Sequence, residues 1–266
     1  MKRTVYSRTK VLLFACLNLA AVFLIGLDQS ADAQVSPGKV KNIVIVHGAF
    51  ADGSGFLDIY RILTKKGYHV TIVQLPLTSF EEDVAATNRE LERQDGPAIL
   101  VGHSWGGTVI TQAGASAKVA GLVYIEGFQP EVGETTLDLA TSAPTAPEYG
   151  ILPPDSKGLL YYSKEKYHAG FAGDLPKETA DFMYATQGPF PVKSFTTKVT
   201  QAAWKTKPSW AIVSSDDKSI NPIILKRMYK RAGSVVTEIK ASHVVFMSQP
   251  QKVAAVIEAA AMGSLK

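Results

Sequence analysis

The chain has 266 residues, 46% of them hydrophobic and 20% charged, with a net charge of +4. That length and balance suit one α/β domain, or one domain with an insertion, and allow a sizeable core. No basic run interleaved with aromatics occurs past the N-terminal segment, which speaks against nucleic-acid binding.

Residues 1–33 read as a secretory signal peptide. Lys2, Arg3, Arg8 and Lys10 form a basic region, and residues 11–27 are apolar apart from Asn18. Ala31-Asp32-Ala33 then supplies small residues at the −3 and −1 positions of a cleavage site before Gln34. The rival is an uncleaved N-terminal membrane anchor, for which an apolar run of 17 residues is at the short limit. The leader carries +2 of the net charge, so the mature chain carries +2. Cys16, the single cysteine, lies in the leader, so the mature chain can form no disulfide and no thiolate metal site. The expected location is secreted or periplasmic, with no stable membrane insertion after cleavage.

Residues 42–46, Asn-Ile-Val-Ile-Val, form a nearly continuous β-branched run, as expected of a strand buried on both faces. A glycine-rich loop follows over 47–55, beginning His47-Gly48-Ala49-Phe50. Phe56, Ile59, Tyr60, Ile62 and Leu63 then recur at helical spacing, and Gly67 ends that helix. Residues 69–73 are the next strand. Ser79 and Glu82 have capping-box spacing at the head of a helix to about residue 94, with Val84, Ala85, Asn88 and Leu91 on one face. After the break at Asp95-Gly96-Pro97, apolar residues 98–101 run into Gly102-His103-Ser104-Trp105-Gly106, and 107–113 reads as the start of a helix.

This is Gly-x-Ser-x-Gly in a strand–turn–helix context, the sequence form of a nucleophile elbow. The sharp turn strains the central residue and exposes its hydroxyl, and glycines flank it because side chains there would collide with neighbouring backbone. The new helix aims its free N–H groups at the site, where they favour developing negative charge.

Residues 119–125 are another strand. From about 128 to 207, prolines and glycines break the rhythm around short amphipathic pieces such as 159–167 and 177–185. Leu159, Leu160, Tyr161, Tyr162, Tyr167, Phe171, Phe182 and Tyr184 make this stretch too apolar for a linker, so it reads as an inserted helical cap whose aromatics are candidates to line a pocket. Residues 209–214 resume the sheet, and 215–221 form the loop beyond it. Asn221 and Pro222 are the cap and first residue of a helix to about 231. A last strand over 234–239 leads to Ala241-Ser242-His243, and Gln249-Pro250 opens a final helix. Strands alternating with helices predict an α/β fold, a mostly parallel sheet with helices on both faces, and a site at the carboxyl ends of its strands.

A serine hydroxyl needs a base to take its proton, and the base needs a group that fixes its tautomer. With the order Ser, acid, His, the candidates are Ser104, then Asp216 or Asp217, then His243. Of the five histidines, His47 and His103 belong to the glycine loops, His69 begins a strand and His168 lies in the cap. His243 alone follows the last strand. Glu126, after the strand over 119–125, is a third carboxylate, expected to line the site without orienting the base. The oxyanion formed by attack needs two donors. One is the N–H of Trp105; the other comes from Ala49 or Phe50, with Ala49 favoured as the residue directly after His-Gly. No ligand cluster has metal spacing, so no metal is expected.

On His47-Gly48-Ala49, Gly102-His103-Ser104-Trp105-Gly106-Gly107, the Asp216-Asp217 loop and Ser242-His243, residues 34–266 resemble the α/β-hydrolase superfamily. The resemblance is nearest to small cofactor-free esterases similar to plant methylesterases, hydroxynitrile lyases and bacterial pyrethroid-type carboxylesterases. It implies hydrolysis of a small, fairly apolar ester through an acyl-enzyme on Ser104, with His243 as base. The aspartate followed within five residues by proline resembles the family's acid, which favours Asp217 over Asp216; neighbours in an extended segment also point to opposite sides. Certain haloalkane dehalogenases of the superfamily place their acid near the position of Glu126, but their nucleophile is an aspartate where this chain has Ser104. Carbon–carbon lysis of the hydroxynitrile type and a non-catalytic ligand-binding role on the same fold are the alternatives.

Overall fold

The computed structural model describes residues 40–263. The expected signal peptide over 1–33, with Cys16 and the cleavage site before Gln34, lies outside the described residues. In chain order the strands are β1 (Asn42–Val46), β2 (His69–Val73), β3 (Ala98–His103), β4 (Val119–Ile125), β5 (Leu159–Leu160), β6 (Phe190–Pro191), β7 (Ser209–Ser214) and β8 (Val235–Ile239). The helices are α1 (Leu57–Lys65), α2 (Phe80–Glu92), α3 (Trp105–Ala113), α4 (Thr136–Ala140), α5 (Lys164–Phe171), α6 (Lys177–Thr186), α7 (Val192–Thr196), α8 (Pro222–Ala232), α9 (Val245–Ser248) and α10 (Pro250–Ala261).

Six strands pair, all in parallel, in the order β2-β1-β3-β4-β7-β8. Every residue of β1, β3 and β7 is buried, as their continuous apolar runs require, whereas the edge strand β8 alternates between half-buried and exposed up to its buried last residue, Ile239. Helices pack around the sheet, α1 against α10 and α2 against α3. Because the strands are parallel, the loops after β1, β3, β4, β7 and β8 all open on one sheet edge. The strand order turns back between β1 and β3, so the crevice of a topological switch point falls between His47 and Ser104.

The chain between β4 and β7 carries α4 to α7 and a two-residue antiparallel ribbon of β5 and β6. The expected single piece over 159–167 is not one element. Leu159 and Leu160 pair with Phe190 and Pro191, and α5 starts only at Lys164. The face of α2 also differs from expectation. Phe80, Asp83, Ala86, Thr87 and Leu91 are buried, while Val84, Ala85 and Asn88 are half-buried. The helix is rotated because the Asp83 carboxylate has two buried donors to satisfy, Leu77 N–H at 2.9 Å and the Trp105 indole at 2.8 Å. Ser79 caps α2 by accepting from Glu82 N–H at 3.1 Å, and a full reciprocal capping box forms at Thr135 and Asp138.

Candidate active site

Ser104 joins β3 to α3 with φ 51° and ψ −119°. A side-chain-bearing residue rarely adopts that conformation, at a cost of about 1–3 kcal/mol. The end of β4 and the chain just after it hold it: Ser104 N–H donates to Ile125 O at 3.1 Å, and Ser104 O accepts from Phe128 N–H at 3.1 Å. Two glycines make the turn sterically feasible. A Cβ on Gly102 would lie 2.5 Å from Gly106 O, and one on Gly106 would lie 2.4 Å from Val46 O. The loop after β1 crosses directly over the serine, where a Cβ on Gly48 would meet Ser104 Cβ at 2.8 Å. Trp105 is the first residue of α3, so its N–H has no acceptor within the helix.

His243 follows β8, and its Nδ1 lies 2.7 Å from Asp217 Oδ2, with both side chains shut off from solvent. Asp217 is itself held from the other side, since its Oδ1 accepts the N–H groups of Ser219 at 2.8 Å and Ile220 at 2.9 Å. The turn into α8 thus aims one carboxylate oxygen at the imidazole. Asp216, one residue earlier, is exposed, and its N–H ties the loop to Ala241 O at 3.1 Å. Glu126 does not line the site as expected. It is wholly buried with φ 42°, and its Oε1 accepts from Ser214 Oγ at 2.6 Å. Burial holds its carboxyl well above the usual range; the Ser214 hydroxyl opposes this and the Asp217 charge adds to it.

The two loop histidines are structural in their contacts. His47 Nε2 accepts from Leu75 N–H at 3.0 Å, leaving Nδ1–H for Gly48 O at 2.8 Å, and burial lowers its pKa. His103 Nε2 lies 2.8 Å from His243 O, and burial beside His243 keeps His103 neutral. Among the described residues no group of His, Cys, Asp or Glu is placed to hold a metal ion.

Ser104 and His243 open on one cavity of about 410 Å³. Ala49 and Phe50 after β1, Trp105, and Ser219 and Ile220 after β7 also line it, and residues between β4 and β7, among them Phe128, Leu137, Tyr149, Tyr162, Phe171 and Phe195, line the rest. Of the insertion's aromatics named from sequence, Tyr162 and Phe171 reach the cavity, whereas Phe182 is 63% exposed and Tyr167 is buried away from it. Among the described residues, no Asp, Glu, Lys or Arg side chain lines the wall.

Residues 43–256 match the model of the alpha/beta hydrolase family. The chain belongs to that family. Alpha/beta hydrolase nvfD of Aspergillus novofumigatus is 25% identical over 241 residues, spanning 82% of this chain and 96% of that protein. A pyrethroid hydrolase of Sphingobium wenxiniae is 27% identical over 245 residues, spanning 82% of this chain and 86% of that one. The crystal structure of a pyrethroid hydrolase from Sphingobium faniae shares the fold, with a TM-score of 0.71 at 24% identity over 85% of this chain and 99% of that one.

One residue at the hydrolase's elbow has no local sequence signal. Asp83 grips the Trp105 indole across 22 positions of chain, and burial pushes its carboxyl up to about 6 against the hydrogen bonds from Trp105 and Leu77. Between its ordinary value near 3.8 and about 6, the unfolded chain has lost this proton and the folded one keeps it. Each pH unit of that gap is worth about 1.4 kcal/mol, so Asp83 takes about 3 kcal/mol from stability as pH rises from about 4 to about 6. Asp83→Asn lacks the titration. Its stability relative to wild type should therefore improve across that window and level off above it, in urea melts taken at each pH. A constant difference would contradict the raised value.

Proposed function

We propose that this hydrolase cleaves small, uncharged, apolar carboxylic esters through an acyl-enzyme on Ser104. The observation that carries the reading is the cavity: a serine and an aspartate-held histidine open on a wall without an Asp, Glu, Lys or Arg side chain among the described residues. The pyrethroid hydrolase relatives support ester cleavage on this scaffold.

In this mechanism Ser104 Oγ attacks the ester carbonyl carbon while His243 Nε2 takes the hydroxyl proton. Asp217 keeps the other proton on Nδ1 and offsets the positive charge of the imidazolium. The negative oxygen of the tetrahedral intermediate is met by the N–H of Trp105 and by that of Ala49. As the intermediate collapses, the carbon–oxygen bond to the alcohol breaks and His243 returns its proton to the leaving alkoxide. Water then repeats the sequence on the acyl-enzyme and releases the acid. Carbon–carbon lysis would call for a cation at the leaving anion; Lys218, the nearest candidate in sequence, is exposed and does not line the cavity.

Two esters of similar size test this reading. Placing an unpaired carboxylate against an apolar wall is costly. The wild type should hydrolyse p-nitrophenyl butyrate with a kcat/KM about 100-fold or more above that for mono-p-nitrophenyl succinate, or about 2.7 kcal/mol in barrier. Equal rates, or preference for the anionic ester, would sink the uncharged-substrate assignment.

A further inference from the structure

The insertion does more than wall the cavity. Between Tyr167 and Asp174, the end of α5 and the bend after it reach three of the loops that carry the proposed reaction, those after β1, β7 and β8. Tyr167, fully buried, donates its hydroxyl to Phe50 O at 2.7 Å. Phe50 follows Ala49 in the loop after β1 and holds φ 60°, a conformation that a side-chain-bearing residue keeps only under constraint. Gly170 O accepts from Ser219 Oγ at 2.8 Å, and Ser219 N–H is one of the two donors that orient Asp217. Asp174 accepts from Ser242 N–H at 3.0 Å and from Ser242 Oγ at 2.5 Å, immediately before His243. Phe171 sets its ring edge-on to the His243 imidazole, 4.9 Å between centroids.

We propose that this stretch is a brace holding the oxyanion, acid and base loops in register, with Tyr167 as its principal positioning residue. The proposal rests on the serine-esterase reading above. Tyr167 leads because its bond is the buried one and because it lands beside the strained turn that presents Ala49 N–H. Without the hydroxyl, Phe50 O is left buried and unpaired, and the loop relaxes to find another donor. Displacement of an oxyanion donor by a fraction of an ångström weakens transition-state binding and leaves ground-state binding nearly intact. A residue that only shapes the cavity behaves otherwise, changing KM or the preference among substrates. Tyr167 does not line the cavity, so it has no direct route to either.

Tyr167→Phe should lower kcat about tenfold on both p-nitrophenyl acetate and p-nitrophenyl octanoate, with KM within about twofold. A boronic acid that mimics the tetrahedral intermediate should lose affinity by the same factor. Phe182→Ala, at a 63% exposed position on α6 of the same insertion, should behave as wild type. Asp174→Ala, at an exposed position where folding is not at stake, should lower kcat on both esters about threefold. Adding Ser242→Ala to it should cost little more, since both remove the same contact. Wild-type kcat in Tyr167→Phe, or a loss confined to KM or to one ester, overturns the brace. If Tyr167→Phe does not fold, Asp174→Ala decides by the same criteria. If the wild type hydrolyses neither ester, the esterase reading fails by itself. The brace is then judged by amide hydrogen exchange over residues 47–52, which should speed up in Tyr167→Phe; unchanged exchange overturns it.

Discussion

Ser104→Ala is expected to lower kcat on p-nitrophenyl esters by a factor on the order of 10⁵–10⁶, with KM within a few-fold. The size of the loss follows from the arrangement around it. In the proposed mechanism His243, aligned by a buried carboxylate, and the N–H groups at the start of α3 all act on the Ser104 hydroxyl, and Ser104, Trp105 and His243 line one cavity. Residual turnover comes from binding and from the oxyanion donors, which alanine leaves in place. In the wild type, a fluorophosphonate should add one equivalent, mapped to Ser104, and abolish activity. Inactivation with the label on another residue would end the elbow assignment. Stability gives an independent check. Alanine keeps the Cβ and therefore the strained φ of 51°, so Ser104→Ala should melt close to wild type. Ser104→Gly, free of that restriction, should melt higher, because strain of about 1–3 kcal/mol at this position is released.

The parts that sequence alone conveyed share a physical character. The run over 42–46 is β-branched because β1 is covered on both faces, and that condition is local to the strand. Glycines at 102 and 106 were readable as sites of close approach because backbone of β1 and α3 occupies the space a side chain would need. The parts that escaped depend on partners far along the chain. Nothing near Asp83 announces that its carboxylate faces inward; the reason is the indole of Trp105 and the N–H of Leu77. The segment over 159–167 looked like one amphipathic piece because its strand half exists only by pairing with Phe190 and Pro191. Glu126 was expected along the cavity because it ends a strand at the right sheet edge. The φ of 42° at this residue accompanies a side chain hydrogen-bonded to Ser214, and one-dimensional order does not carry that information. The contacts from Tyr167 and Asp174 to the loops after β1 and β8 are of the same long-range kind.

Asp217→Asn is expected to lower kcat by about 10³–10⁴ while the fold is retained. The reason lies in how each oxygen of Asp217 is used. Oδ1 accepts two backbone N–H groups, from Ser219 and Ile220, and Oδ2 faces His243 Nδ1. In the asparagine variant the amide oxygen stays with the two backbone donors, since an amino group there would oppose them. The amino group is then directed at Nδ1, which must present a lone pair, and the ring proton moves to Nε2. That tautomer cannot take the proton of Ser104. The other two carboxylates lack this leverage. Asp216 is exposed and contributes a backbone bond that asparagine preserves. Burial holds the Glu126 carboxyl well above the usual range, which favours its neutral form, and glutamine matches that form in shape and charge. Asp216→Asn and Glu126→Gln should therefore each cost about tenfold or less, or roughly 1.4 kcal/mol of barrier. Rates would be compared only after circular dichroism shows all three variants folded. A large loss in Asp216→Asn or Glu126→Gln with Asp217→Asn still active would falsify the assignment of Asp217, because the geometry gives neither alternative a path to the Nδ1 proton.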